Sequence, residues 1–284
     1  MIDYKEETAL IRKDIFLAAS QHKFAHLASA FSCVEILYSL YLCNIMNYDS
    51  KAPMSEERDR FIMSKGHGSL ALYSVLNRAG FFSRETLMQF CKPNTILGGE
   101  PNALSTPGVE ASTGSLGHGL SFAVGIAIAN KIDKKQNHTY VLIGDGELQE
   151  GSVWEAIMLA VRFELDNLTL IIDNNKIQKM GTIDEISGIC SWSNRFEAFG
   201  WCVEEVDGHN VEAVVEVLKN KSKNNMPKVV IANTIKGKGV SFMENNPSWH
   251  WRMPNKKETR ILSKELNICE EEISDAKSIY NGTI

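Results

Sequence analysis

Four short β-rich runs constrain this chain more than any other feature: Thr139–Gly144 (TYVLIG), Thr169–Asp173 (TLIID), Cys202–Val206 (CVEEV) and Lys228–Asn233 (KVVIAN). Helical stretches separate them, first 151–163, then a segment near 193–199, and finally Val211–Lys221. Runs of Val, Leu and Ile without polar alternation belong to strands buried on both faces, and interposed helices return the chain so that successive strands lie parallel. The pattern predicts an α/β fold, a doubly wound, mostly parallel sheet with helices on both faces. Upstream, amphipathic or apolar helical patterns run roughly through 4–22, 28–46 and 69–79. The stretch Leu27–Met46 approaches the length of a membrane span, but Glu35 lies near its middle and no basic cluster flanks it, so it reads as a buried helix.

Composition narrows the partners. With Lys+Arg 30 against Asp+Glu 35 the 284 residues carry a net charge of −5, and no block of five or more like charges occurs, so neither nucleic acid nor an anionic membrane is expected. The six cysteines (Cys33, Cys43, Cys91, Cys190, Cys202 and Cys269) form no C-x-x-C pair and read as buried, reduced thiols. The amino terminus lacks the basic, apolar, small-residue order of a signal peptide. A cytoplasmic protein is expected.

Two long loops, 92–118 and Gly237–Pro254, are the candidate ligand-binding segments, because open parallel sheets bind ligands at the carboxyl ends of their strands. The first long strand ends in Gly144-Asp145-Gly146-Glu147, where glycines admit a ligand close to the backbone and a following helix offers free N–H groups to an anion. This is not the dinucleotide fingerprint, since Gln149 stands where its third glycine belongs. Asp145 is informative: a carboxylate beside a phosphate repels it unless a cation lies between, and Mg²⁺ is held in this way by one or two protein groups plus phosphate oxygens. The next strand delivers Asn174-Asn175-Lys176-Ile177 at its own carboxyl end. Structural readings stand beside these: Asp145 as a helix cap, Asn175 as a turn residue, His67 as a loop hydrogen-bonder, His138 and His209 as surface or turn residues. His22 and His26 have metal spacing, but no third ligand points to zinc.

The motif G-D-G followed about 30 residues later by N-N resembles the signature of thiamine diphosphate enzymes, and the surrounding sequence resembles the transketolase family, specifically the amino-terminal subunit of a transketolase split into two chains. The resemblance rests on Ala25–Ala28 (AHLA), Ser64–Gly68 (SKGHG), Thr106–Glu110 (TPGVE), Thr113–Gly119 (TGSLGHG), Gly144–Ala156, Asp173–Ile177, Lys236–Glu244 and Trp249-His250, in the family's order over nearly the whole chain. It implies a thiamine diphosphate-binding fold of the diphosphate type over residues 1–254, followed by a helical tail, 255–284. Asp145, the Asn175 side chain and the Ile177 carbonyl would hold Mg²⁺, or another divalent cation such as Ca²⁺ or Mn²⁺. Gly144, Gly146, Glu147, His67 and His250 would surround the diphosphate, and Gly114, Ser115 and Leu116 would line the aminopyrimidine side. His26 would face the substrate, with His67 and His250 among the catalytic positions. Glu150 and Glu155 match acidic positions between two cofactor sites. The implied activity moves a two-carbon ketol unit from a ketose to an aldose.

Two departures from the family bear on substrate. Glu100 stands where the family has a substrate-contacting histidine, so an acceptor that repels anions replaces a donor. Trp251 follows His250 where a glycine is common. Both changes point to an unusual sugar. The competing readings are an α-type subunit of a 2-oxo acid dehydrogenase, a relative of deoxyxylulose phosphate synthase, a nicotinamide-binding protein, or a non-catalytic paralogue. After Pro254 no segment is long enough for the family's pyrimidine-binding domain with its activating glutamate. The resemblance therefore implies a separate carboxy-terminal subunit of broadly similar size, in an α2β2 heterotetramer, and an isolated chain without activity.

Overall fold

The computed structural model describes residues 2–188, 191–220, 222 and 224–282. In chain order the elements are α1 (Tyr4–Ala19), α2 (Leu27–Ser32), α3 (Val34–Leu42), β1 (Arg60–Met63), α4 (Ser69–Arg78), α5 (Arg84–Met88), α6 (Gly119–Ile132), β2 (Thr139–Gly144), α7 (Gly151–Arg162), β3 (Leu168–Asn174), α8 (Ile183–Ser187), α9 (Trp192–Ala198), β4 (Cys202–Asp207), α10 (Val211–Lys219), β5 (Lys228–Asn233), α11 (Lys256–Glu265) and α12 (Glu270–Asn281). The five strands form one parallel sheet in the order β1-β2-β3-β5-β4.

Alternate residues of the central strands enter two different cores. Tyr140, Leu142, Ile171, Val230 and Ala232 pack under α1 to α5, α10, α11 and α12. Val141, Ile143, Leu170, Ile172, Val229 and Ile231 pack under α6, α7 and α9. Because side chains alternate across a strand, burial on both faces demands an uninterrupted apolar run, and this is why β2, β3 and β5 were legible. The register sets Gly144 beside Asp173, and Asn174 beside Asn233, so the ends that carry polar residues are level.

Several expectations change. The helix expected over 28–46 is two helices, α2 and α3, joined at Cys33, whose backbone (φ −105°, ψ 14°) leaves the helical region. Both are buried, and among the described residues no helix is long and apolar enough to cross a membrane. Strand β1 was not expected: four residues are too few for a pattern. Strand β4 is an edge strand with Glu204 and Glu205 on it and is only partly buried. Of the cysteines, Cys33 is fully buried, Cys43 and Cys202 partly, and Cys91 and Cys269 are exposed; Cys33, Cys43, Cys91 and Cys269 are free thiols. Cys190, Lys221 at the end of the expected 211–221 helix, and the last two residues of the expected tail lie outside the described residues. The tail contributes Leu262 of α11, Ala276 of α12, and Leu266 and Ile268 between them to the same core as α1. Asn255 starts α11 in a reciprocal cap, accepting from the Lys257 and Glu258 amides while Glu258 accepts from the Asn255 amide.

Candidate active site

The carboxyl ends of β1, β2, β3 and β5 each release a loop toward the same region: Ser64–Gly68, Gly144–Glu150, Asn175–Gln178 and Thr234–Lys236. The loop before α6 is tied in from the side. Thr113 Oγ1 donates to the Met63 carbonyl (2.6 Å), and Gly119 N donates to Ser64 Oγ (3.1 Å). The Lys236 loop is tied to α2 through Gly237 N, which donates to the Ala28 carbonyl (2.9 Å).

Beneath the loops lies a closed charge network. Asp173, at the end of β3, is fully buried; it receives Lys65 Nζ, Ser32 Oγ (2.6 Å), Thr234 Oγ1 and Asn175 Nδ2 (3.2 Å). Burial works against its charge, but Lys65 and the hydroxyls outweigh that and hold the carboxyl below its ordinary range. Lys65 in turn donates to the Ser29 carbonyl (2.9 Å) and is kept charged by Asp173 despite complete burial.

Asp145, one strand over, is buried to the same degree but is not compensated. Its carboxylate accepts from Gly146 N (2.8 Å) and Lys176 N, and among the described residues no Lys or Arg side chain is hydrogen-bonded to it. Burial, and then the negative charge of Asp173, push its pKa up to about 7. The adjoining turn supplies two more oxygens: Asn175 Oδ1, which accepts from Ile177 N (3.1 Å), and the Ile177 carbonyl, which accepts from Lys236 Nζ (3.0 Å). No three His, Cys, Asp or Glu side chains converge as a metal cage among the described residues. A buried carboxylate lacking a cation, beside an amide oxygen and a carbonyl, fits a hard divalent ion that completes its shell with phosphate oxygens and water.

Joined to the Ile177 turn through Lys236 stands a cluster of nitrogen groups. The rings of His26, His67 and His250 lie with centroids 5.1–5.8 Å apart, and Lys236 Nζ reaches His250 Nδ1 (3.1 Å). Burial, His250 and the charges of Lys236, Lys65 and Lys179 lower His26 to about 3; burial, Lys236 and Lys179 lower His250 to about 4; His67 is lowered well below the ordinary range by burial and Lys65. Burial and the neighbouring Lys65 bring Lys236 down to about 8. Neutral imidazoles that each keep one N–H, set beside the Lys236 ammonium and kept unprotonated first by burial and then by the lysines, offer hydrogen-bond donors and one positive charge to an anion.

The remaining expected positions have specific surroundings. Glu147 is buried and acts as a stitch, accepting from Ser64 Oγ, Gly117 N (2.9 Å) and Gly144 N (3.3 Å), so it holds the α6 loop to the Gly144 turn. Gly114, at φ +147°, passes directly under Glu100: its backbone conformation is one that side-chain-bearing residues rarely adopt, and a Cβ there would displace the Glu100 carboxylate that lies over it. Ser115 is exposed and Leu116 half-buried on the same loop. The Glu100 loop is pinned through its backbone, Gly99 O accepting from Ser69 Oγ (2.7 Å) and Glu100 O from Tyr73 OH (2.9 Å), which leaves the Glu100 carboxylate exposed. His22 is occupied elsewhere, bonded to the Phe90 carbonyl (2.8 Å) and packed edge-on against Phe90 and Tyr280.

The structure thus gathers His26, His67 and His250 in one cluster, sets Asp145, Asn175 and Ile177 on adjoining strand ends, and packs Glu100 on Gly114. Sequence reasoning overlooked Lys65, Lys236 and Asp173, although Lys236, just past the buried strand read at Lys228–Asn233, was a usable signal. His209 stands in the turn after β4, as expected, but its ring is engaged in a way the sequence did not indicate: Nδ1 faces Glu35 (3.0 Å), Nε2 accepts from Ile235 N (2.8 Å), and Glu35 is itself paired with Arg12 (2.8 Å).

A parallel sheet with helices on both faces, whose strand ends release converging polar loops, places the chain among α/β domains that carry a site at the carboxyl ends of their strands. Residues 7–275 match the family described as Transketolase, thiamine diphosphate binding domain. The chain belongs to the transketolase family, and its function is that of a transketolase-like transferase. It is 42% identical over 262 residues to one of the named subunits of the apulose-4-phosphate transketolase of Actinobacillus succinogenes, covering 92% of this chain and 95% of that one. It is 38% identical over 250 residues to 6-deoxy-6-sulfo-D-fructose transketolase subunit SqwG of Clostridium sp., covering 88% and 90%. The solved transketolase of Campylobacter jejuni superposes with a TM-score of 0.87 at 29% identity, covering 99% of this chain but 46% of that one. The chain therefore spans about half the length of that solved enzyme.

Proposed function

We propose that this chain is the diphosphate- and metal-binding subunit of a two-subunit transketolase that moves a two-carbon ketol unit between phosphorylated sugars outside the ordinary pentose set. The observation that carries this reading is a pair of opposite unmet needs on the loops around Asn175–Ile177: among the described residues the buried Asp145 carboxylate is hydrogen-bonded only by two backbone N–H groups, and the nitrogen groups of His26, His67, His250 and Lys236 crowd together without an acid between them. A divalent ion bound to a diphosphate meets both. Asp145, Asn175 Oδ1 and the Ile177 carbonyl would hold Mg²⁺, or Ca²⁺ or Mn²⁺. His67, His250 and the Gly144–Gly146 backbone would take the diphosphate, with Glu147 bracing that turn. Gly114, Ser115 and Leu116 would line the aminopyrimidine side. When bound, thiamine diphosphate supplies the carbanion chemistry that carries the ketol unit. His26 hydrogen-bonds the sugar, and its low basicity makes it a neutral partner at physiological pH.

Glu100 sets the substrate apart. Its exposed carboxylate accepts hydrogen bonds and repels an anionic group nearby, which favours a hydroxyl-bearing sugar segment at this point. The named activities of the relatives, toward apulose 4-phosphate and a sulfonated deoxyfructose, support a substrate outside the pentose set. Relatives of the same length are named as subunits, which supports a carboxy-terminal partner that brings the pyrimidine-binding domain and activating glutamate, in an α2β2 heterotetramer. Residues 1–254 would form the cofactor domain, with 255–284 as a helical bracket on its flank. We place the enzyme in the cytoplasm, where its free thiols stay reduced.

Reconstitution tests the reading. The chain alone is expected to bind thiamine diphosphate only with a divalent cation and to transfer no ketol unit; with its partner subunit it should transfer one. Ketol transfer by the chain alone would remove the need for a partner. Cation-independent cofactor binding would overturn the site, and ordinary efficiency on xylulose 5-phosphate with ribose 5-phosphate would overturn the unusual-sugar reading.

A further inference from the structure

Beside the histidine cluster the chain exposes two large aromatic rings. Phe24 and Trp251 are 56% and 50% exposed and lie nearly parallel, at an angle of 8° with centroids 6.1 Å apart. Trp251 also packs on the His26 ring, at 4.1 Å. The segment that carries Trp251 is anchored on both sides. Trp249 is buried against Phe242, and Arg252 lies over the Trp249 ring at 3.9 Å while pairing with Glu258 at the start of α11 (2.7 Å). An anchored tryptophan held half in solvent beside hydrogen-bonding imidazoles forms a surface with an apolar part and a polar part in contact.

We propose that Trp251, backed by Phe24, is a specificity-determining residue: an aromatic platform on which an apolar C–H face of the sugar rests while His26 hydrogen-bonds a hydroxyl. This rests on the transketolase reading of the site. Small-molecule sites combine aromatic walls with a few placed polar groups, and a sugar offers both C–H faces and hydroxyls. Trp251 therefore selects among sugars by the face they present, ketose donors and aldose acceptors being distinguished by which KM responds.

The test uses the reconstituted two-subunit enzyme with thiamine diphosphate and Mg²⁺, comparing wild type, Trp251→Gly and Trp251→Phe. Loss of an aromatic contact is expected to raise KM for the donor or the acceptor roughly tenfold with kcat little changed, and Trp251→Phe should recover most of it. Cofactor affinity and the association of the two chains, read by calorimetry and sedimentation, should not move. Saturation-transfer NMR with the sugar phosphates should show C–H protons of one face in contact with the wild-type enzyme, and this signal should disappear in Trp251→Gly. Weakened association with unchanged KM would make the platform an inter-chain contact and overturn the proposal. Wild-type ketol transfer that is indifferent to Trp251 would overturn the proposal alone. Sugar contact that depends on Trp251, without any ketol transfer, would overturn the transketolase reading and keep the platform. Neither contact nor transfer would overturn both.

Discussion

Asp173 and Asp145 sit on neighbouring strands, the first beside Gly144 in the register and the second one residue beyond it, and both are almost completely buried. They differ in what surrounds them. Asp173 is enclosed by an ammonium group, two hydroxyls and an amide, and its pKa is lowered; Asp145 has two backbone N–H groups, and its pKa rises to about 7. Burying a charge is costly unless partners replace water, so a satisfied buried carboxylate reads as architecture and an unsatisfied one as a place where something binds. The cation that Asp145 lacks in the chain is the one the proposed cofactor would bring.

The largest expected effect comes from breaking the satisfied member. Lys65→Met leaves Asp173 charged, buried and unpaired, and should cost about 3–5 kcal/mol, read as a fall in Tm of roughly 10 °C. Adding Asp173→Leu should recover much of that loss by making the site apolar. An unchanged Tm in the single variant would erase the distinction between the two aspartates. Asp145→Asn should leave the cofactor-free chain at least as stable as wild type, yet weaken Mg²⁺-dependent thiamine diphosphate binding by on the order of 100-fold in titration calorimetry. Equal affinity in that variant would move the metal elsewhere.

A smaller effect concerns the positive side of the site. His26 has its pKa lowered from an ordinary 6.5 to about 3, so the folded chain binds fewer protons there than the unfolded chain. Its contribution is fully present above pH 6.5 and is lost as pH falls from 6.5 toward 3. His26→Gln should therefore flatten acid destabilisation of the cofactor-free chain by about 1 kcal/mol between pH 6.5 and 4, allowing for partial solvent screening. Denaturant midpoints measured at each pH check this, and parallel profiles for variant and wild type would contradict it.

Legibility followed burial. Strands β2, β3 and β5 were readable because each must be apolar on both faces; the run at 202–206 also proved to be a strand, β4, but at the sheet edge and only partly buried, whereas β1, with four residues, gave no pattern. Helix α6 (GLSFAVGIAIANKI) escaped notice because it is apolar or small nearly all round, without a polar face to mark its period. Asp145, Asn175 and His67 could be named from local motifs. The partnership of Lys65 with Asp173, 108 positions later, could not, nor could the His209–Glu35 contact across 174 positions.

By itself the sequence determined the strands β2 to β5, their parallel arrangement and the family, since these depend on local periodicity and on contiguous motifs. Only the tertiary structure decided which of two buried carboxylates is neutralised, how three histidines distant in sequence come within 6 Å, and that Trp251 lies on His26. Charge compensation and ring contact depend on distance in space, and the parallel crossovers that bring strand ends level set those distances.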